Sequence, residues 1–379
     1  MSTQHARNVV LGAGAMGSAA AYHLARRGEP VMLVEQFALG HNRGSSHGAA
    51  RITRHSYADV RYAKLMPQAF RVWRELEADA GQSLFLRTGG VSISPSGVDY
   101  VEQVAASLQE IGIPHKRMTG RQLHRSFPAF QVADDAEVVF EPDAGMLAAS
   151  RILQAQVALA RELGGAATQV VEHCPVVRID LDADKPTLIT TSGTITTDRL
   201  IVTAGPWIGR LLPQLTTSLR PTRQQVLYFR PSRPDDFAPG RFPVFIFKGS
   251  EELDSYYGMP PFEGLGVKVA RHGGPEVDPN QVEPLIDKAY EEGIRAFLQG
   301  CIPSLADAVS DFSEVCLYTN APNDQFFVGF FKHRPDVVVA SPCSGHGFKF
   351  SCLIGSVLAD LVTRGATDLD TTFWAPPGA

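Results

Sequence analysis

The stretch NVVLGAGAMGSAAAYHLARRGEPVMLVEQ, Asn8 to Gln36, constrains this chain more than any other. The apolar run Val9-Val10-Leu11 reads as a strand that stops at Gly12. An alanine-rich helix follows through about Arg27, and Gly28 caps it. Val31 to Val34 form a second strand that ends on Glu35. G-x-G-x-x-G at such a junction, with an acid about 20 positions further on, is the pattern of a dinucleotide-binding βαβ unit. Gly12 permits the tight turn, Gly14 lets the backbone approach a pyrophosphate, and Gly17 lets helix and strand pack closely. The helix N-terminus offers free N–H groups and positive dipole to the phosphates. Glu35 is placed to accept hydrogen bonds from ribose hydroxyls.

The 379 residues allow two domains or one large interleaved α/β unit. A net charge of −5 gives no reason to expect nucleic acid or an anionic membrane as partner. The five cysteines, at 174, 301, 316, 343 and 352, contain no C-x-x-C pair. That argues against a disulfide framework and a zinc ribbon, and no metal site is assigned. No run approaches the roughly 20 apolar residues of a membrane span. The opening MSTQHARNVVLGAG enters a strand without a basic-then-apolar leader, so a cytoplasmic protein is expected.

DRLIVTAGPWIGRLL, from Asp198, is another apolar strand, and its small residues Thr203-Ala204-Gly205 allow close approach to a cofactor. The stretch before it reads as a helix followed by two strands. G-x-G-x-x-G does not recur, which argues against a second nicotinamide domain. Residues 87–145 and 220–321 differ in texture, with short strands broken by proline and glycine, as in RQQVLYFRP. They suggest a second, mixed-sheet domain inserted into the first. Gln224 to Phe229 reads as a strand, and residues 281–300 read as a helix.

GHNRGSSHGAARITRHSY, Gly40 to Tyr57, brings Ser45, Ser46, His47, Arg51 and Arg54 into one short loop after the second strand. Such a loop can wrap a pyrophosphate or a ring. Arg51 and Arg54 are three apart and share a face if the segment turns helically. By themselves they read as solvated surface; beside a cofactor they can clamp a carboxylate. Cys316 by itself reads as a buried apolar thiol. Lys268 in V-K-V reads as solvent-facing, and His272 as surface or core.

Five stretches in order, GAGAMGSAAAYHLARRG, GSSHGAARITRHSY, YYGMPPFEGLGVKVARH, CLYTNAP and SGHGFKFS, span residues 12 to 351. On these the chain resembles the monomeric sarcosine oxidase and N-methyltryptophan oxidase family of D-amino-acid-oxidase-like flavoproteins. The resemblance implies a Rossmann-like FAD-binding domain, residues 1–86 with 146–219 and 322–379. It is interleaved with a mixed-sheet substrate domain, residues 87–145 with 220–321. It implies FAD bound covalently through Cys316. Arg51 and His47 are implied to lie against the flavin, with Ser45, Ser46, Gly345 and Gly347 among the cofactor contacts. Arg54 and Lys349 are implied carboxylate ligands, Tyr257 and His272 line the amine site, and Lys268 promotes reaction with oxygen. The helix from about Ser351 is expected to point its positive end at the flavin, where charge accumulates on reduction.

The expected activity is oxidation of a secondary amino acid to an imine, with oxygen reduced to hydrogen peroxide, by a monomer. The alternatives are a dehydrogenase with another electron acceptor and a non-catalytic flavin-binding protein. Three departures bear on substrate: Ala49-Ala50 after His47-Gly48, Val328-Gly329, and Arg271, which is expected to admit a second acidic group.

Overall fold

In the computed structural model, residues 2–251 and 254–374 are described. The strand Ser2–Leu11 runs parallel to Val31–Val34 on one side and to Gly193–Val202 on the other. Thr168–Val171 and Arg334–Ser341 extend the parallel core outward, in register with Val31–Val34 and Gly193–Val202. Antiparallel strands complete an eight-stranded sheet.

Side chains alternate across this sheet. Val10, Leu33, Ile201 and Val338 pack into one apolar cluster with the helices, while Val9, Leu11, Met32, Val34, Val202 and Val339 pack into another on the opposite face. Both faces are covered, which is why the strands read as unbroken apolar runs. The helix Ala15–Arg26 lies between Ala149–Gly164 and Ser351–Arg364. Its alanines serve that packing: a Cβ on Gly355 would sit 2.5 Å from the Ala19 Cβ.

The second sheet also has eight strands. In spatial order they are Val309–Asn320, Arg220–Arg230, Val267–Arg271, Ser255–Met259, Val244–Lys248, Gly90–Ser94, Glu137–Glu141 and Lys116–Thr119. Its outer face buries Leu227, Phe229, Phe245, Val267 and Val269 against Tyr290, Ile294 and Leu298 of the helix Lys288–Cys301. Its inner face looks toward the first sheet. A three-stranded sheet, Ala50–Thr53, Gly145–Ala148 and Phe85–Arg87, bridges the two. Among the described residues no helix is long and apolar enough to cross a membrane.

Two expectations are corrected. Residues 281–287 are not helical, and the helix begins at Lys288 after Asp287. Arg223, itself buried, takes the Glu283 and Leu285 carbonyls and the Asp287 carboxylate as hydrogen-bond partners. Those carbonyls are therefore lost to helix pairing, and Pro284 supplies no N–H. Arg51 and Arg54 do not share a helical face either. Arg51 lies in the strand Ala50–Thr53 and Arg54 just past its end. Both still reach one cavity, because the strand stops between them.

Candidate active site

A cavity of about 1140 Å³ runs between the two large sheets, from the glycine turn to the inner face of the second sheet. At the glycine end main chain does most of the work. Gly12 has φ +100°, and a Cβ there would lie 2.6 Å from the Thr203 carbonyl oxygen. A Cβ on Gly17 would lie 1.8 Å from the Gly12 oxygen, so helix and turn touch without room for a side chain. The Ala15 N–H at the helix start donates to Ser46 Oγ at 3.0 Å. Glu35 is buried and accepts the Ala13 N–H at 2.8 Å and the Phe37 N–H at 3.0 Å. It therefore organises the turn it lines as well as presenting a carboxylate to the cavity.

The middle of the cavity collects charge. Arg51 donates to the carbonyls of Ser45 (3.0 Å), His47 (2.5 Å) and Ala50 (3.0 Å), fixing the loop by its backbone. Burial, then Arg51, pulls the His47 imidazole down to about 4, leaving it neutral. Lys268 is only 4% exposed, with Nζ 3.5 Å from the Ala50 carbonyl and 5.6 Å from the centre of the Tyr228 ring. Burial, then Arg51, pulls its ammonium down to about 8. Cys316 is buried on the same sheet as Lys268, two strands away; burial pushes its thiol up, while Arg51 and Lys268 pull it the other way.

The strand carrying Cys316 presents Glu314 and Tyr318 on the same face, since side chains alternate along a strand. Glu314 accepts the Tyr228 hydroxyl at 2.6 Å. Tyr257 and Tyr318 both line the cavity, and burial raises Tyr257 to about 12. Neither Glu314 nor Tyr318 was singled out from sequence, although counting by twos from Cys316 finds both. Cys343 also lines the cavity, its Sγ accepting the Thr319 N–H at 3.4 Å.

His272 lies against Tyr318, ring centres 5.4 Å apart, and burial lowers its imidazole. Gly345, φ +74°, passes between them, where a Cβ would be 2.4 Å from the His272 ring and 2.5 Å from the Tyr318 ring. A Cβ on Gly347 would be 1.6 Å from the Pro342 oxygen. The turn from Gly345 to Lys349 lines the cavity directly, immediately before the helix that starts at Ser351.

At the far end Arg54 lies over the Tyr57 ring at 4.8 Å, and its Nη1 is buried without a partner among the described residues. Burial opposes its charge, but Tyr100, Tyr57 and Glu141 hold the guanidinium above its ordinary value. Lys349 Nζ donates to the Tyr57 hydroxyl at 2.9 Å and the His346 carbonyl at 2.8 Å. Burial, then Arg54, pulls this amine well below the usual lysine range. Behind Arg54, Glu141 accepts the backbone N–H groups of His55 and Ser56 and meets His55 Nδ1 at 2.6 Å. This pair ties the loop to the second sheet.

Arg271 is a correction. Lys268, in the strand Val267–Arg271, and His272, just past its end, face the cavity, so Arg271 faces the other way and lies 5.5 Å from the centre of the Tyr290 ring. It is not part of the cavity lining. Ala49, Ala50, Val328 and Gly329 do not line the cavity either, so these departures leave its wall unchanged.

A model of FAD dependent oxidoreductases matches residues 7–361. The chain belongs to that family. Among FAD dependent oxidoreductases it is 33% identical to monomeric sarcosine oxidase of Bacillus sp. (strain NS-129), over 99% of this chain and 97% of the relative. It is 30% identical to N-methyl-L-tryptophan oxidase of Salmonella arizonae, over 96% of each. In fold it matches NikD, described as an unusual amino acid oxidase essential for nikkomycin biosynthesis. The TM-score is 0.85, with 23% identity and 98% of each chain covered. L-proline dehydrogenase from P. horikoshii matches at TM-score 0.84 and 20% identity, covering 99% of this chain and 97% of that one.

The residues present fit the FAD that this family uses. The cavity is larger than the roughly 300–1,000 Å³ of a drug-sized site. Its glycine turn has no Cβ to obstruct a phosphate. Ser45 Oγ and His47 Nδ1 are buried along the cavity without partners among the described residues. Buried polar atoms rarely stay unpaired, and a bound polar ligand satisfies them.

Proposed function

We propose that this FAD-dependent chain oxidises a secondary amino acid, N-methyl or cyclic, to its imine, with dioxygen reduced to hydrogen peroxide. The observation that carries the reading is the unpartnered Nη1 of buried Arg54, beside Lys349, at the opposite end of the cavity from the dinucleotide turn. A desolvated guanidinium with an open N–H is a seat for a carboxylate.

FAD, when bound, supplies the two-electron acceptor. Gly12, Gly14, Gly17, Glu35, Ser45, Ser46, Gly345 and Gly347 would hold it, and Cys316 would carry the covalent link. The remaining work belongs to side chains. Arg54 fixes the carboxylate and thereby the direction in which the substrate's C–H bond points. Tyr257 and neutral His272 bound the amine end without adding a charge that would favour the unreactive ammonium. Arg51 and His47 stiffen the loop above the reacting region. Lys268 places a preorganised charge where dioxygen gains negative charge.

Residues 1–86, 146–219 and 322–379 are read as the cofactor domain, and 87–145 with 220–321 as the substrate domain. The separation of most of their strands into two sheets supports this. Five unpaired cysteines support a reducing, cytoplasmic location. The name of the Bacillus relative supports a monomer.

The test is anaerobic bleaching of the yellow holoenzyme by a panel of N-methyl and cyclic amino acids, followed by an oxygen electrode. Bleaching without oxygen uptake would point to a dehydrogenase; no bleaching by any member would end the reading. Acid-precipitated protein should stay yellow, and Cys316→Ser should release the colour. A yellow mutant pellet would move the attachment elsewhere.

A further inference from the structure

The second sheet turns one more cation into the cavity, beyond the pair assigned to the substrate carboxylate. The strand Val244–Lys248 is central, running between Gly90–Ser94 and Ser255–Met259. Phe245 and Phe247 pack outward, in the cluster that covers the helix Lys288–Cys301. By alternation Val244, Ile246 and Lys248 turn inward, and Ile246 and Lys248 line the cavity. An inward charge can protect an exposed sheet edge, but this strand has a neighbour on each side. A half-buried lysine on an inward face otherwise needs water or a carboxylate to meet it.

Register places Lys248 beside the amine site. It lies directly across from Ser255, and the His272 N–H donates to the Ser255 carbonyl at 2.7 Å. Lys248, Ser255 and His272 therefore form one row across the sheet, about 10 Å from first to last at the usual strand spacing. All three line the cavity, and Ser255, between the other two, is small. The charges of Asp324, Lys248 and Lys349 all reach the His272 ring.

Few carboxylates are left to meet this charge. Among the described residues lining the cavity they are Glu35, Asp59, Glu314 and Asp324. Glu35 holds the dinucleotide turn, and Glu314 accepts the Tyr228 hydroxyl in the middle of the cavity. Asp59 is taken by the Arg61 guanidinium at 2.6 Å. Asp324 remains, exposed at the rim. Asp254, next to Ser255 in the chain, turns to the other face, where its carboxylate would lie 1.7 Å from a Cβ on Gly249. One substrate carboxylate satisfies Arg54 and Lys349, which reach the cavity from the loop and the last turn. Lys248 reaches it from a different wall and stays in want of an anion.

We propose that Lys248 reads a second acidic group on the substrate, so that the preferred class is an N-alkyl amino dicarboxylate, such as N-methylaspartate or N-methylglutamate. This rests on the reading of the site as one for secondary amino acids. Arg54 and Lys349 take the carboxylate next to the reacting C–H bond. Tyr257 and His272 bound the amine, and Lys248 takes the distal carboxylate beyond His272. Arg271 faces away from the cavity and cannot serve this purpose. The contact is made with a part of the substrate that does not react, so it supplies binding and selectivity rather than chemistry.

The test compares racemic N-methylglutamate and N-methylaspartate with their uncharged amides, N-methylglutamine and N-methylasparagine. The readout is the second-order rate constant for anaerobic bleaching of the holoenzyme, so no electron acceptor enters. The wild type should favour at least one acid over its amide by about tenfold, the scale of one charge-assisted hydrogen bond. Lys248→Met keeps most of the stem and removes the charge, and the ratio should fall to near unity. The change should lie in the half-saturating concentration more than in the saturated rate. Lys248→Arg, which keeps the charge, should keep the preference and show that the loss is not a general disturbance of the sheet. A wild type without preference for either acid, or a preference that Lys248→Met leaves intact, overturns the proposal. If no secondary amino acid of any charge bleaches the wild type, the reading of the site fails instead, and the two failures are distinct.

Discussion

The two ends of the cavity are built by different means. At the dinucleotide end the surface is main chain: Gly12, Gly14 and Gly17 leave backbone exposed, and Glu35 braces it. Through the middle and the far end the surface is side chains drawn from five separated segments: Arg54 and Tyr57, Tyr257, Lys268 and His272, Cys316 and Tyr318, and His346 and Lys349. The first end tolerates no added atom, because close approach is its function. The second end tolerates changes of shape but depends on charge, because its buried polar groups face one another without water.

This contrast can be broken experimentally, and the largest effect belongs to the first end. Gly17→Val would force a side chain into the Gly12 carbonyl, where even a Cβ would sit 1.8 Å away. The purified protein should be colourless. A yellow Gly17→Val protein would show that the turn has slack the structure denies it.

Next comes Lys268→Met at the second end. Reoxidation by oxygen should slow by roughly 10²–10³-fold, since one preorganised charge contributes on that scale, while anaerobic reduction should suffer less. The wild-type oxygen reaction should also weaken as pH rises through about 8, because Lys268 is charged below that value and neutral above it. Equal losses in both half-reactions would remove the oxygen role.

Arg54→Ala should cost about 2–4 kcal/mol in kcat/KM for a free amino acid, since the substrate carboxylate would be left buried and half-paired. The penalty should vanish for the methyl ester. Equal penalties for acid and ester would mean that no carboxylate sits there.

The smallest effect sharpens the comparison. Arg271→Ala should leave kcat/KM within about twofold for acidic and neutral substrates alike, and destabilise the fold by about 1 kcal/mol through loss of its contact with Tyr290. Selective loss of acidic substrates would put Arg271 back in the cavity.

The same division explains how much could be read beforehand. The glycine turn is a local pattern, and each glycine's role follows from its immediate neighbours in sequence. The far end depends on register. The outward face of Arg271 follows from the alternation that starts at Lys268, not from its place beside His272. Glu314 and Tyr318 follow from the phase set by Cys316 along its strand. Tyr57 and His346 meet across 289 positions, and no local pattern links them. The segment 281–287 has the composition of a helix but is opened by Arg223, about sixty residues upstream and on another strand.

Among the described residues, the strand Val309–Asn320 is the outermost of its sheet, with hydrogen-bonded strand pairing only to Arg220–Arg230. Its first half is largely open to solvent, with Val309 67% and Phe312 42% exposed. An edge of this kind is ordinarily the first part of a sheet to peel. Under the proposed attachment, Cys316 would stitch this edge to a cofactor whose other end is gripped by the opposite sheet. The prosthetic group would then act as a crosslink between two layers of the protein, closing a loop of some three hundred residues between the glycine turn and the thiol. Holoenzyme and apoprotein should differ most in hydrogen exchange along Val309–Asn320, far from the turn that binds the phosphates.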